Sequence, residues 1–171
     1  MSNRLEGRVA VLTGAGSGIG YATSKRLASE GAHVVAVDTN EETGQAIAKE
    51  VGGIFVKADV TNSAQVENMY KVAFDTYGRI DIAFNNAGIS PPDDDSILVI
   101  GIDAWERVLR VNTTSVYLCC KAVIPYMQKA KKGSIINTAS FVATMGAATS
   151  QIAYTASKGG VLSMSRELGV Q

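Results

Sequence analysis

Short apolar runs alternate with helix-like segments along almost the whole chain, and this alternation limits the possible folds more than any other feature of the sequence. Runs that are apolar almost throughout predict buried strands at residues 8–13, 33–37, 54–58, 80–84 and 134–138. Helical patterns fill the intervals, at residues 19–30, 41–51, 63–77, 103–130 and from 152 onward. Because strands that alternate with helices are joined by right-handed crossovers, we predict one α/β domain over residues 1–171, a three-layer, doubly wound parallel sheet.

Local signals predict where some helices begin, bend or end. Ser63 is the expected N-cap of the third helix and Gly78 its stop, while Pro125 is expected to bend the long helix. An irregular acidic stretch, residues 90–96, follows the fourth strand. It is expected at the carboxyl edge of the sheet, where such sheets bind ligands, either as a border of the substrate entrance or as a solvated loop.

The charge balance excludes one large class of partners. Lys plus Arg and Asp plus Glu number 16 each among the 171 residues, so the formal net charge is zero. We therefore expect no sequence-independent binding of nucleic acid. The dense cationic group at Lys129, Lys131 and Lys132 lies at the expected end of a helix, where cations favour the macrodipole, and is interpreted as solvated.

The cysteines and the histidine predict no metal site. Cys119 and Cys120 are neighbours that point apart on a helix, which indicates two reduced packing thiols, and His33 is interpreted as structural. No His/Cys group has zinc-ligand spacing. The apolar run at residues 9–12 is too short for a secretory signal, and no stretch has the length that spans a bilayer, so we expect a cytoplasmic protein.

A glycine-rich loop, Thr13-Gly-Ala-Gly-Ser-Gly-Ile-Gly20, joins the first strand to the first helix. Glycines there permit a tight turn and let backbone N–H groups approach a pyrophosphate at the helix N-terminus. The general fingerprint G-x-G-x-x-G is not matched, because Ile19 stands three residues after Gly16. The pattern that fits is G-x-x-x-G-x-G, and it predicts a dinucleotide site. The residues of the loop predicted to bind the cofactor are Gly14, Ser17, Gly18, Ile19 and Gly20.

Asp38 ends the second strand, where a carboxylate is expected to accept hydrogen bonds from an adenosine ribose. It would repel a 2′-phosphate, and a unit-charge pair about 4 Å apart costs roughly 4 kcal/mol near a protein surface before salt screening. No Arg or Lys occupies the glycine loop or the two positions after Asp38. We therefore predict NAD rather than NADP as the cofactor; the alternative is a plain turn residue.

Tyr154 and Lys158 are four residues apart on a predicted helix and therefore share one face. The phenol has a reference pKa near 10, which makes it a poor acid or base at neutral pH. A neighbouring ammonium favours the phenolate and brings the group towards the working pH of acid–base catalysis. The pair by itself is more often an ordinary surface tyrosine and lysine.

Together these motifs carry a resemblance that spans nearly the whole chain. The chain resembles the single-domain branch of the short-chain dehydrogenase/reductases, most nearly NAD-dependent alcohol dehydrogenases and 3-oxoacyl-thioester reductase-like proteins. The matching positions, in order, are residues 13–20, Asp38, Asp59-Val60, Asn85-Asn86-Ala87-Gly88, Asn112, Ser140 and Tyr154 to Lys158. The resemblance implies a Rossmann fold, an NAD cofactor, a small alcohol or ketone substrate and a homo-oligomer, either dimer or tetramer, formed through residues 103–130 and the helix of Tyr154.

The resemblance also implies a role for each position. Tyr154 would exchange a proton with the reacting oxygen, Lys158 would lower its pKa and bind the nicotinamide ribose, and Ser140 would hold that oxygen. Asn112 would anchor a water that links Lys158 to solvent. The remaining cofactor contacts would be Asp59 and Val60 at the adenine, and Asn86, Ala87 and Gly88 along the cofactor wall.

The resemblance stops where family members continue with a sixth strand, a substrate-covering segment and a seventh strand. We therefore expect the chain to be a fragment of a longer enzyme, truncated after the catalytic helix, with one flank of the sheet exposed. If the polypeptide ends at Gln171, we expect weak nicotinamide binding, low stability and little turnover. The alternatives are a non-catalytic NAD-binding or interaction module, and a nucleotide-sugar epimerase or dehydratase, against which the G-x-x-x-G-x-G loop argues.

Overall fold

Five parallel strands form one sheet with helices on both faces in the computed structural model, which describes residues 3–171. The strands are β1 (Val9–Thr13), β2 (His33–Asp38), β3 (Ile54–Lys57), β4 (Ile82–Asn85) and β5 (Ser134–Asn137). The helices are α1 (Gly18–Ser29), α2 (Glu41–Glu50), α3 (Ser63–Tyr77), α4 (Ile102–Leu109), α5 (Ser115–Ala130) and α6 (Ile152–Leu168). The sheet order β3-β2-β1-β4-β5 reverses direction at β1, which is the doubly wound arrangement predicted from the sequence.

Alternation along the strands divides the core into two layers. Val9 and Val11 of β1 face a cluster that includes side chains of α3 and α5, whereas Ala10 and Leu12 face the opposite cluster, which includes side chains of α1 and α2. All four side chains are at most 1% exposed. The sheet therefore lies between two helical layers, and its near-continuous apolar runs reflect burial on both faces.

The long helix predicted over residues 103–130 is wrong in one respect, because it is interrupted. Helix α4 ends at Leu109, a π-helical turn spans Arg110–Thr114, and α5 starts at Ser115. The break thus lies well before Pro125, which is inside α5. A π turn inserts an extra residue into the helical ladder and is found preferentially at functional sites.

Two further predictions concern helix α3. Its N-cap is Asn62 rather than Ser63, since the Asn62 side chain accepts a hydrogen bond from the backbone N–H of Gln65 at 3.2 Å. Asn62 lies just before the helix, so its side chain can accept from an N–H group of the first turn, whereas Ser63 is already the first helical residue. The stop at Gly78 is confirmed: its φ of 72° is left-handed, a conformation that glycine adopts without steric cost.

The predicted behaviour of the two thiols is also confirmed. Cys119 and Cys120 are both buried and free. Cys119 packs in the cluster of α3 and α5, whereas Cys120 packs with Val116 and Val161 between α5 and α6. His33 is exposed and stacks on Tyr77, with ring centres 5.0 Å apart, in keeping with a structural role.

The outer edge of the sheet at β5 is open, as expected. Ile136 is 47% exposed, and a cavity of about 750 Å³ lies beside it, bordered by the ends of α5 and α6. A second cavity of about 350 Å³ lies against the β4 side, between Leu27 and Ile136. Within residues 3–171, no helix combines the length and the apolar character needed to cross a membrane.

A buried carboxylate joins three strands at the amino edge of the sheet. Asp81 is 7% exposed and accepts hydrogen bonds from Arg8 at 2.7 Å, from Arg79 at 2.6 and 2.7 Å, and from the backbone N–H of Val9 at 3.0 Å. Its backbone groups bond to Val9 and Ser134. Burial acts to raise the pKa of Asp81, but the hydrogen bonds from Arg79, Val9 and Arg8 outweigh it and bring the pKa to about 2.

Replacing Asp81 with Asn is expected to destabilise the protein by about 2 kcal/mol at pH 7. Because the pKa of Asp81 is lower in the folded state, its stabilisation is complete above about pH 4 and is lost as the pH falls towards 2. Urea denaturation of the wild type and of Asp81→Asn at pH 7, 4 and 2.5 should therefore show a difference in the free energy of unfolding that becomes smaller as the pH falls. Asp75→Asn, which removes an exposed ion pair with Lys71, should change stability little. A difference in the free energy of unfolding between the wild type and Asp81→Asn that does not change with pH would contradict the stabilising role of the Asp81 charge.

Candidate active site

Helix α6 brings Tyr154 and Lys158 together on one face, as the spacing predicted. The Lys158 ammonium lies 5.6 Å from the centre of the Tyr154 ring. Lys158 is only 4% exposed and donates a hydrogen bond of 2.7 Å to the backbone carbonyl of Thr138, just beyond β5. Burial lowers the pKa of Lys158. The phenol therefore faces a cation that is held in a fixed position and is poorly hydrated.

The same spacing occurs twice more in the chain, so it does not by itself identify a site. The segment Tyr21-Ala-Thr-Ser-Lys25 nearly repeats the residues at 154–158, and Lys25 lies 5.3 Å from the Tyr21 ring. Tyr21 and Lys25 both bind the carboxylate of Glu50 on the surface. The hydrogen bond between Lys25 and Glu50 raises the pKa of Lys25. Burial distinguishes Lys158, whose pKa moves in the opposite direction.

Asn112 lies in the π turn between α4 and α5 and is 1% exposed. Its side-chain oxygen accepts from the backbone N–H of Ile89 at 2.7 Å, and its amide donates to the carbonyl of Ile89 at 2.8 Å and to the Ser157 hydroxyl at 3.0 Å. One amide thus ties the segment after β4 to the catalytic-helix candidate α6. The π turn places this side chain between the two.

Gly88 lies beside both Asn112 and Lys158. A Cβ at Gly88 would lie 3.2 Å from the Asn112 side-chain oxygen and 3.5 Å from the Lys158 ammonium nitrogen. Both polar groups therefore lie within 3.5 Å of one point above the backbone of Gly88. A Cβ there would crowd the Asn112 oxygen slightly and would be in ordinary van der Waals contact with the Lys158 nitrogen.

Ser140 starts the short 3-10 turn Phe141–Ala143, which packs against α6. Its side chain is partly buried, as is that of Tyr154. Within residues 3–171, neither the Ser140 hydroxyl nor the Tyr154 hydroxyl has a hydrogen-bond partner. Their contact with a reacting oxygen stays a prediction.

The glycine loop is sterically dependent on its glycines. Gly14 and Gly18 have φ values of 64° and 50°, which favour glycine. A Cβ at Gly20 would overlap the Gly14 carbonyl oxygen and lie 2.7 Å from its carbon. The first turn of α1 therefore packs directly on the loop, with Ser17 as N-cap and Ile19 62% exposed. Such a cradle leaves room for a pyrophosphate beside backbone rather than side chains.

Asp38 lies against this loop, although it is 22 residues away in the sequence. One carboxylate oxygen accepts from the backbone N–H of Gly16 at 2.8 Å, and the other accepts from the N–H of Asn40 at 2.9 Å. The strand end and the loop thus meet at the carboxyl edge, at the point where the sheet order reverses. This is where open α/β sheets bind ligands.

The segment after β4 braces the sheet. The backbone N–H groups of Asn86 and Ala87 both donate to the Thr13 hydroxyl, at 3.0 and 3.1 Å. Asn85 donates from its side chain to Asn137 of β5 at 2.8 Å. These contacts join β1, β4 and β5 just below Gly88, so the predicted cofactor wall is held on three strands.

Asp59 and Val60 follow β3, next to β2 in the sheet. Asp59 is exposed, and its carboxylate accepts from the backbone N–H and the hydroxyl of Thr61, at 2.9 and 2.8 Å, while Val60 is buried. The contact of Asp59 with an adenine stays a prediction. Sequence reasoning missed Thr138 and Ser157, which bond to the site residues, since neither residue type at these places carried a signal.

The family comparison matches almost the entire chain. A family model described as short chain dehydrogenase matches residues 8–171. Secoisolariciresinol dehydrogenase from Forsythia intermedia is 41% identical over 174 residues, which cover 100% of this chain and 62% of that protein. The 3-oxoacyl-[acyl-carrier-protein] reductase FabG from Thermotoga maritima is 40% identical over 169 residues, which cover 95% of this chain and 67% of that protein.

The structural comparison agrees. The crystal structure of levodione reductase superposes with a TM-score of 0.92 at 34% sequence identity, over 98% of this chain and 67% of that one. The chain thus spans about two thirds of the length of these proteins, and slightly less for secoisolariciresinol dehydrogenase. The family model, the sequence identities and the shared fold together show that the chain belongs to the short-chain dehydrogenase/reductase family.

Proposed function

We propose that the protein is an oxidoreductase that transfers a hydride between NAD(H) and a secondary alcohol or ketone, with Tyr154 as the general acid and base. The observation that carries the proposal is the burial of Lys158 beside the ring of Tyr154, whose hydroxyl has no hydrogen-bond partner within residues 3–171. In an ordinary surface pair, such as Tyr21 and Lys25, the lysine stays exposed to solvent, whereas Lys158 is buried. The named activities of the similar dehydrogenases and reductases support the reaction class.

The residues present suit a dinucleotide. The loop around Gly14, Gly18 and Gly20 gives backbone close to the phosphates, Asp38 lies beside it for the ribose, and Gly88 opens the wall towards Lys158. When bound, the nicotinamide supplies or accepts the hydride at the substrate carbon. The protein's part is to hold the reacting groups and to move the proton.

Each polar side chain then has a distinct task. Tyr154 donates its proton to the carbonyl oxygen in reduction and takes the hydroxyl proton in oxidation, while Ser140 donates a hydrogen bond to the same oxygen. Lys158 stabilises the phenolate electrostatically, since its cation is near the ring and poorly screened. Asn112, whose oxygen lies near the same point as the Lys158 ammonium, positions the path by which the proton reaches solvent.

We propose NAD as the preferred nucleotide, because the Asp38 carboxylate stands at the glycine loop without a neighbouring Arg or Lys in the loop. Replacing Asp38 with Asn keeps its size and removes its charge. The ratio of the NADP to the NAD dissociation constant is expected to fall by roughly 10-fold or more, since salt screens part of the repulsion.

Fluorescence titration with NADH and NADPH measures both dissociation constants. Asp59→Asn is the matched control, because it removes a carboxylate from the adenine side and should change both constants by the same factor. An unchanged ratio for Asp38→Asn would contradict the role of Asp38, and tighter binding of NADPH than of NADH by the wild type would contradict NAD as the preferred nucleotide.

The proposed reaction is tested by following absorbance at the NADH band with a panel of secondary alcohols and ketones. Turnover of at least one substrate that is lost in Tyr154→Phe supports the proposal. Nucleotide binding without turnover of any substrate would instead favour a non-catalytic NAD-binding or interaction module.

Two broader expectations accompany the proposed function. We propose a homo-oligomer formed through α4, α5 and α6, where Ile102 and Tyr117 are 66% and 49% exposed. Light scattering after gel filtration measures the mass of the assembly.

We also propose the cytoplasm as the location of the protein, because two free, buried thiols suit a reducing compartment.

A further inference from the structure

The N-terminus of α6 has no cap from its own residues. The N-cap position, Gln151, makes no side-chain hydrogen bond to the helix. Four backbone N–H groups at the start of an α-helix have no partner within the helix, and three of them belong to its first helical residues, here Ile152, Ala153 and Tyr154. Because Tyr154 is the third of these residues, whatever satisfies them also sets the position of the Tyr154 backbone.

All three N–H groups are satisfied by the acidic segment that follows β4. Asp94 accepts from Ala153 with one carboxylate oxygen at 3.0 Å and from Tyr154 with the other at 2.7 Å. The N–H of Ile152 donates to the backbone carbonyl of Asp95 at 3.2 Å. A carboxylate at this end also favours the helix dipole.

Asp94 is buried, at 6% exposed, unlike its neighbour Asp93, whose carboxylate is paired with Arg107 of α4 at 2.6 and 2.7 Å. The acidic loop is therefore held to α4 on one side and to α6 on the other. The sequence offered two interpretations, a border of the substrate entrance or a solvated loop. The structure adds a further role, in which Asp94 and Asp95 cap α6, and the border of a substrate entrance stays a prediction.

The connection to the site is short. Asn86 to Gly88 form the candidate cofactor wall, and the next residue, Ile89, is hydrogen-bonded through its backbone to Asn112. Five residues later, Asp94 accepts a hydrogen bond from the backbone N–H of Tyr154. One continuous segment therefore runs from the wall to the proton-transfer residue. A shift of its far end by a fraction of an ångström moves Tyr154 relative to the wall, and misplacement by about 1 Å can cost about 100-fold in rate.

We propose that Asp94 is a positioning residue, which holds Tyr154 at its working distance from the nicotinamide side of the cleft by accepting the N–H groups of Ala153 and Tyr154. The proposal rests on the proposed function for its kinetic consequence. It assigns no contact of Asp94 with substrate or cofactor.

Asp94→Asn tests the proposal with little change of shape. The amide can accept only one of the two hydrogen bonds and turns an NH₂ group towards the other N–H. We expect kcat to fall about 10- to 100-fold, with the NADH dissociation constant within about two-fold of wild type. Amide hydrogen exchange should accelerate at Ala153 or Tyr154. A role in stability alone would lower the melting temperature without changing kcat per NADH-binding site.

Asp103→Asn is the matched control, because it makes the same chemical change in the first turn of α4 at an exposed carboxylate. Its kcat and its exchange at Tyr154 should stay at the wild-type values. Unchanged exchange at both amides in Asp94→Asn would overturn the contact, and faster exchange with unchanged kcat would overturn the positioning role. A wild-type protein with no turnover defeats the proposed function, whereas the exchange result still decides whether Asp94 holds Tyr154.

Discussion

Replacing Tyr154 with Phe is expected to lower kcat by about 10²- to 10⁴-fold, the usual contribution of a positioned general acid or base. The substitution removes only the hydroxyl and keeps the ring beside Lys158. Because the Tyr154 hydroxyl has no partner within residues 3–171, no buried donor or acceptor is left unsatisfied. The melting temperature and the NADH dissociation constant should therefore remain near those of wild type.

The control for this prediction is present in the same chain. Tyr21→Phe removes a phenol from a segment with nearly the same sequence and a similar lysine distance, 5.3 Å against 5.6 Å. The Tyr21 hydroxyl binds the surface carboxylate of Glu50 instead of facing the cleft. Steady-state kinetics of the two variants should separate them by at least about 100-fold in kcat. Equal activities would show that Tyr154 is not the proton-transfer group.

Gly20→Ala is expected to destabilise the protein by about 1–3 kcal/mol and to weaken NADH binding at least about 10-fold. The added methyl group would overlap the carbonyl of Gly14 and lie 3.0 Å from the Ala15 Cα. Backbone cannot move aside as a flexible side chain can, so α1 or the loop must shift. Either shift changes the cradle that the phosphates are proposed to occupy.

Gly159→Ala makes the same change in another helix and is expected to stabilise the protein, whereas Gly20→Ala is expected to destabilise it. Within residues 3–171, a Cβ at Gly159 would meet no heavy atom within 4 Å other than its own chain neighbours and helix backbone. Alanine in a helix interior is favoured over glycine by about 0.5–1 kcal/mol. Urea denaturation and NADH titration of both variants give the comparison. Destabilisation by Gly159→Ala of the size expected for Gly20→Ala would contradict the steric explanation.

The sheet and its order of elements were predictable because local patterns carried them. Strands buried on both faces must be apolar almost throughout, so β1 and β2 were apparent as short runs, and the glycines at both ends of α1 marked its limits. Boundaries still moved by one or two residues: the fourth strand was predicted at 80–84 and is Ile82–Asn85. Asp81 turns to its arginine partners just before that strand begins.

The interruption of the long helix could not be predicted. Residues 110–114 contain no Pro or Gly, and their side chains are compatible with an ordinary helix. The π turn lies where Asn112 makes tertiary hydrogen bonds with Ile89 and Ser157, which are distant in the sequence. Sequence reasoning singled out Asn112 through the family resemblance, and the structure supplies the contacts that surround it.

The amino-acid sequence by itself determined the alternating elements, the glycine loop and the candidate residues, because periodicity, turn chemistry and motif spacing are local properties. Tertiary structure alone decided which of the near-identical segments at Tyr21 and Tyr154 has a buried lysine. It also decided that Asp94 caps the helix of Tyr154 from 60 residues away in the sequence. Burial and long-range hydrogen bonds depend on what the fold places nearby, and those neighbours are distant along the chain.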